Sequence, residues 1–295
     1  MMIRRKVKYN VINIIVILVA IAVFIYKYHD VQTFFDGMSI YHIIMMIVVA
    51  LVVHVIKASR LYLALYGTPI KAKEYIKIYC KVTPVSILFP FKVGEFFRMY
   101  CYGMRINSLV RGVVIVILDR FMDTMALVTI VLLFWIFNGW RLVAVAYVLM
   151  LFLAFILLIY FAYPGVYQFW KKYALREKAT ENSIALLKAM SALNNLYQEI
   201  RSVSKGRGII LFFMSLVAWG TEIGNMLILQ GRIQGEYINQ TIAKYLSSAI
   251  IGEPSVELKR FIFISIIVMV MIYMVIKLAE VLLGKKENNE SSGCV

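Results

Sequence analysis

The stretch "SILFPFKVGEFFRMYCYG" (residues 86–103) sets Pro90, Lys92, Gly94, Glu95 and Arg98 among phenylalanines and other apolar residues. The chain around it reads as membrane. It has 295 residues, is 62% hydrophobic and has a mean hydropathy of +0.81, beyond the ordinary make-up of a soluble globular domain. A glutamate and an arginine three residues apart, directly behind a helix breaker, then need a physical reason.

The hairpin reading follows from the breaks. Pro84, Pro90 and Gly94 divide residues 72–105 into two half-helices, "EYIKIYCKV" (74–82) and "GEFFRMYCYG" (94–103). Non-helical backbone at membrane depth is tolerated where it is buried in protein or lines an aqueous cavity. The second half-helix starts at Gly94, so its N–H groups and positive dipole end point into the depth of the hairpin and favour an anion there. Glu95 in the first turn suits the same dipole, and Arg98 follows one turn later.

Apolar runs long enough for a hydrocarbon core of ~30 Å lie at 10–28, 40–63, 112–137, 140–163, 208–230 and 259–283. The run "LVAVAYVLMLFLAFILLIYFAY" (142–163) carries no charge. Two stretches, 72–105 and 232–256, are too interrupted for plain spans and are expected to be re-entrant hairpins.

The chain holds 32 Lys or Arg against 16 Asp or Glu, a formal charge of +16. The basic residues fall between apolar runs, which points to the positive-inside effect and anionic headgroups rather than to nucleic acid. Arg4, Arg5, Lys6 and Lys8 place the N-terminus inside, and Asp30 and Asp36 place the next loop outside. Lys57, Arg60, Lys71 and Lys73, then Arg105 and Arg111, bring both ends of 72–105 to the cytoplasmic side. Residues 164–207, with eight basic and three acidic residues, form a cytosolic linker, and "GKKENNE" places the C-terminus inside as the start of a flexible tail, 284–295.

By elimination 232–256 begins and ends outside, although Arg232, Lys244, Lys259 and Arg260 run against the charge rule. The layout is then one membrane domain in two halves, 1–137 and 138–163 with 208–283. Each half has span, span, hairpin and span, and the second starts from the opposite side. That is an inverted-topology repeat of the kind transporters use for alternating access. In the linker, Leu186, Met190, Leu193, Tyr197 and Ile200 recur every three or four residues, so 184–200 is an amphipathic helix for the membrane surface, the protein's own base or a partner.

The span at 112–137 contains "VILDRFMDTMAL" (116–127), with Asp119 and Asp123 four apart on one helical face and Arg120 beside them. Each such charge costs roughly 2.5–3.5 kcal/mol at a helix centre, against about half a kcal/mol returned per apolar neighbour. Glu95, Arg98, Asp119, Arg120 and Asp123 are therefore expected in one buried polar cluster between the hairpin and the next span. Two readings stay open, salt bridges that pin the hairpin and a substrate pathway, and the insertion cost favours the pathway. Glu222 in "WGTEIGNM" is a lone mid-span acid that can join the same cavity. Arg60 sits at a span end, where snorkelling to headgroups is the simple explanation. Glu253 and Pro254 mark the break of the second hairpin.

His29, His42 and His54 are scattered without metal spacing and read as packing or interface residues; Cys80, Cys101 and Cys294 form no CxxC pair. No metal or other cofactor is expected.

"PFKVGEFFR" (90–98) resembles the P-x-x-x-G-E-x-x-R hairpin signature of the lysylphosphatidylglycerol synthase transmembrane family. "LDRFMD" (118–123) is similar to that family's following helix, where an Arg and an Asp stand three apart, here Arg120 and Asp123. Arg60, in "KASRLYLAL", fits its basic residue after the second span. The resemblance implies an all-α polytopic flippase-like domain in the cytoplasmic membrane of a prokaryote, acting on aminoacylated phospholipids or near lipid-linked sugars. Two departures stand out. The second hairpin has "IIGEPSVE" (250–257) where the family has a Pro-Gly-Gly-rich turn, and the sequence ends twelve residues after its last span, so lysine transfer is not expected.

The expectation is a lipid translocase without catalytic residues. Arg98 and Arg120 hold a phosphate-bearing headgroup, Gly94 lets it approach the half-helix N-terminus, and Glu95, Asp119 and Asp123 position the arginines and exchange protons. Two alternatives stay open: an intramembrane transferase acting on a lipid, and a non-transporting partner of a glycosyltransferase docked through 184–200. Expected partners are the lipid substrate, anionic headgroups at the cytoplasmic face, a lipid-modifying enzyme or glycosyltransferase, and further copies of the chain.

Overall fold

The computed structural model describes residues 2–30, 35–89, 93–138, 144–176, 181–229 and 256–292. Among them every regular element is helical, and there are nine helices. They are α1 (Met2–Lys27), α2 (Ile40–Ala64), α3 (Ala72–Leu88), α4 (Val93–Ile106), α5 (Leu109–Asn138), α6 (Ala144–Arg176), α7 (Glu181–Ser204), α8 (Gly208–Leu229) and α9 (Val256–Ser292).

Among the described residues five stretches are long and apolar enough to cross a membrane: Tyr9–Lys27, Ile40–Ala64, Tyr147–Tyr173, Gly208–Leu227 and Leu258–Leu282. The sixth expected span lies within α5, a 30-residue helix that carries Asp119, Arg120 and Asp123 in its first half. The chain is an all-α, multi-pass membrane domain. The expected second hairpin, with Glu253, lies outside the described residues except for its last position, as do Pro90 and Lys92 at the tip of the first.

Two helices run further than the hydropathy suggests. α6 passes through Pro164 and ends at Arg176, although the apolar run stops at Tyr163. A proline removes one N–H donor, but a helix can continue through it where neighbouring groups satisfy the freed carbonyl. α9 likewise continues to Ser292, through residues expected to form a tail.

The helices group into two units. The first holds residues 1–58, 68–109 and 254–295, and the second 59–67 and 110–253, so α2 contributes to both.

In the first unit α3 packs against α4, α9 and α1. At 17 and 14 residues, α3 and α4 are about 26 and 21 Å long, each shorter than a plain span requires. They form an antiparallel pair: Tyr75 stacks on Tyr102 with centroids 6.2 Å apart, and Gly94 abuts Val85 and Ser86. Phe263 of α9 gathers Phe24 and Tyr28 at 5.6 and 5.1 Å, together with Phe35. The Lys77–Glu280 ion pair, at 2.6 Å, ties α3 to α9. α4 ends in a left-handed residue, Asn107 (φ 59°), while the Ser108 N–H reaches back to Gly103 O at 3.0 Å, as in a Schellman cap.

At the open end of the pair, outside the five candidate spans, Arg105 Nε donates to Glu74 Oε2 at 3.0 Å and Nη2 donates to Oε1. These hydrogen bonds hold the Glu74 carboxyl below its ordinary value. A carboxylate pKa lowered by folding contributes stability above the unfolded value of about 4.3, and that contribution is lost as pH falls through the folded value. Both partners are exposed, so the contribution is small. Glu74→Gln should leave the melting temperature near wild type at pH 7, and any difference should vanish in high salt or below the carboxylate range.

In the second unit α6 and α7 pack as a helical pair through Tyr197, whose ring lies 4.8 Å from Tyr163 and 5.3 Å from Tyr160. The expected helix at 184–200 is present within α7, with Ile184 and Leu193 exposed. Leu127 and Val131 of α5 form a core with Met150 of α6 and Trp219 and Ile223 of α8. Only 6% of the span window of α6 is buried, and Leu151, Phe155, Leu158 and Phe161 are exposed. Such a face suits lipid, where apolar side chains need no protein cover.

Candidate functional site

The charged residues gather in a distinct set within each unit. In the second unit the centre is Arg60, near the C-terminal end of α2. Its side chain is only 2% exposed, so it does not snorkel as its place at a span end suggests. Nε and Nη2 reach the same oxygen of Asp119, Oδ1, at 2.8 and 2.6 Å. Nη1 donates to Asp123 and, at 2.5 Å, to Ser215 Oγ. The Ser215 hydroxyl in turn donates to Leu211 O at 3.0 Å, one turn back in α8. The four-residue spacing of Asp119 and Asp123 presents both carboxylates to one guanidinium fork, which suits planar, multi-donor recognition.

Arg120 completes this set from the other side. Its Nη2 lies 3.8 Å from Asp119 Oδ2 and its Nη1 3.7 Å from Asp123 Oδ2, with the side chain 40% exposed. Two arginines and two aspartates sum to zero charge, so the cluster is neutral as it stands. The two arginines differ in kind. Arg60 is locked at hydrogen-bond distance, whereas Arg120 lies farther from both carboxylates, with its side chain 40% exposed.

Seven and ten residues beyond Ser215, Glu222 and Asn225 continue the buried polar face of α8. The Asn225 amide has no hydrogen-bond partner among the described residues.

In the first unit Glu95 and Arg98 are 6% and 4% exposed. Arg98 Nη1 lies 3.5 Å from Glu95 Oε2, and the Ser86 hydroxyl of α3 donates to Glu95 Oε1. Glu95 is thus tied across the hairpin as well as to its own helix. Gly94 has a packing reason for being glycine: a Cβ there would sit 2.6 Å from both Ser86 Cα and Val85 O. The backbone of α3 occupies the space on the Cβ side of Gly94. Buried His54 shares a hydrogen bond with Tyr79, Nδ1 to hydroxyl 3.3 Å. No three His, Cys, Asp or Glu residues gather as a metal site among the described residues.

Ser86, His54, Lys81, Ser215 and Asn225 were not candidates from sequence. For Ser215 a signal was available, since it lies two helical turns before Glu222 on one face of a span.

The profile of the lysylphosphatidylglycerol synthase TM region matches residues 10–230. The chain belongs to that family, a lipid-related membrane domain. No curated protein and no solved structure matches it.

Proposed function

We propose that this member of the lysylphosphatidylglycerol synthase TM family is a translocase that carries an anionic phospholipid or lipid-linked precursor across the cytoplasmic membrane of a prokaryote. The observation that carries the reading is the Arg60–Asp119–Asp123–Ser215 network, with Arg120 40% exposed at its edge. Ionisable groups at membrane depth are costly and commonly mark a substrate or proton path. Arg60 is the anchor that holds Asp119 and Asp123, and Arg120, at the edge of that network, is the cation that meets a phosphate. Arg98, paired with Glu95 on the hairpin, is a second phosphate-binding cation, and Glu222 is a buried acid of α8 that lines the path.

In this reading the short α3–α4 pair is a re-entrant hairpin entered from the cytoplasm, both termini are cytoplasmic, and residues 232–256 form its inverted counterpart. The lipid leaves chemically unchanged.

The test is leaflet exchange of fluorescent phosphatidylglycerol in proteoliposomes. Arg120→Ala and Arg98→Ala should each lower the protein-dependent rate by at least about tenfold, the loss of one charge-assisted hydrogen bond, and Glu95→Gln should lower it less. Full exchange in both arginine variants would remove them from the path. Covalently altered lipid recovered from the assay would replace translocation with a transferase.

A further inference from the structure

We propose that Lys81, on α3, is an anion-binding residue of the hairpin that selects lipids with a net negative phosphate headgroup. The proposal rests on the translocation reading for its ligand. Its physical basis is separate. Lys81 Nζ donates to Tyr9 Oη at 3.1 Å and to Asn13 Oδ1 at 3.0 Å, both from α1. The ammonium also lies 5.1 Å from the ring centroid of Tyr9 and 5.6 Å from that of Phe97. Every one of these partners is neutral.

Three other cations of the hairpin contrast with it. Lys77 is paired with Glu280, Arg98 with Glu95 and Arg105 with Glu74. Among the described residues no carboxylate stands within ion-pair distance of Lys81. The three donors of the ammonium face Tyr9, Asn13 and the thiol of Cys101, all of them uncharged. Hydrogen bonds and ring faces steady the charge but do not cancel it. The result is a partly buried, fixed cation held by neutral groups, whereas Lys77, Arg98 and Arg105 each meet a carboxylate. An approaching phosphate oxyanion supplies the missing opposite charge and is a far stronger acceptor than a neutral thiol. A zwitterionic headgroup brings its own cation to the same place and gains less.

A structural role for Lys81, tying α1 to α3, makes a different prediction, and Asn13→Asp separates the two. The new carboxylate keeps the acceptor at the Asn13 position and so keeps the tie, while cancelling the charge. Binding of phosphatidylglycerol and phosphatidylcholine to the purified full chain is compared by native mass spectrometry, with thermal melting in parallel. Wild type should prefer phosphatidylglycerol. Lys81→Met and Asn13→Asp should each lower that preference about tenfold, Lys81→Arg should retain it, and Asn13→Asp should melt no lower than wild type. An undiminished preference in Asn13→Asp would overturn the proposal.

The measurement does not depend on transport. A retained preference in a chain that exchanges no lipid counts against translocation alone. An unchanged preference in a chain that does exchange lipid counts against Lys81 alone. Inorganic phosphate that raises the melting temperature of wild type but not of Asn13→Asp, with no lipid preference in either, assigns the site to the free anion and overturns the lipid ligand.

Discussion

Arg60→Ala is expected to be the most damaging single substitution in the chain, lowering stability by about 3–5 kcal/mol, the usual cost of removing one partner from a buried ion pair. That is a large share of the roughly 5–15 kcal/mol that holds a domain folded. The loss comes less from the missing attraction than from what remains. Asp119 has a 1% exposed side chain and Asp123 a 13% exposed one, and both would lose the guanidinium whose charge and hydrogen bonds compensate their burial.

Fluorescence-detected gel filtration after a heating series measures this directly. Arg60→Ala should lose its monodisperse peak on the order of 10 °C below wild type, or fail to yield one. Arg60→Lys should fall between the two, because a lysine has one nitrogen where the guanidinium fork uses three to serve Asp119, Asp123 and Ser215. The decisive control is Arg60→Met combined with Asp119→Asn and Asp123→Asn. Replacing a buried ionic group by apolar or neutral groups of similar volume is often neutral or stabilising, so this triple variant should recover most of the lost stability. It should not recover lipid exchange, because Arg120 would have lost the carboxylates that position it. Arg120→Ala, whose side chain is 40% exposed, should melt close to wild type. An Arg60→Ala protein as stable as wild type would show that the cluster is not an anchor.

The contrast between these arginines explains what was legible in the sequence. Asp119 and Asp123 stand out because two acids four residues apart in an apolar run announce one polar face. Glu95 and Arg98 stand out because they follow a break. Arg60 does not, because a basic residue at a span end has an ordinary explanation and its partners lie 59 and 63 residues away. Only tertiary packing distinguishes snorkelling from burial. Ser86 carries no signal for a related reason, and that of Ser215, its place two turns before Glu222, is weak, since a serine in a membrane helix commonly bonds its own backbone, as Ser215 also does. The all-helical class and most spans follow from hydropathy, because lipid leaves the backbone few alternatives to a helix. The end of α6 did not, because hydropathy measures the apolar run and a helix can outlast it. Gly94 was read as a glycine kept small for a ligand, and sequence alone does not say which backbone occupies the space beside it.

Gly94→Ala should separate hairpin geometry from charge, because it leaves every ionisable group in place. Two effects oppose each other. Alanine is favoured over glycine within a helix by about 1 kcal/mol. Against that, the new methyl would lie 2.6 Å from Ser86 Cα and Val85 O and 2.9 Å from Val85 C, where an ordinary carbon contact needs about 3.5–4.0 Å. All three are backbone atoms, so no rotamer change relieves the overlap, and α4 must retreat from α3 by roughly 1 Å. Overpacking of this kind costs about 1–3 kcal/mol or more, so destabilisation wins. Gly220 and Gly224 in α8 give the opposite sign, since a Cβ at either meets nothing within 4 Å; alanine there should be neutral or stabilising by up to about 1 kcal/mol. The retreat of α4 also stretches the Ser86–Glu95 hydrogen bond and draws Phe97 away from Lys81, which now lies 5.6 Å from its ring centroid. Melting curves of the three alanine variants, taken beside leaflet exchange of phosphatidylglycerol, should show Gly94→Ala alone melting lower and exchanging at least about tenfold more slowly, the misplacement by about 1 Å being sufficient for such a loss. A Gly94→Ala protein that melts and exchanges like wild type would mean that the contact between α3 and α4 is dispensable, and with it the assignment of the hairpin as the rigid support for Glu95, Arg98 and Lys81.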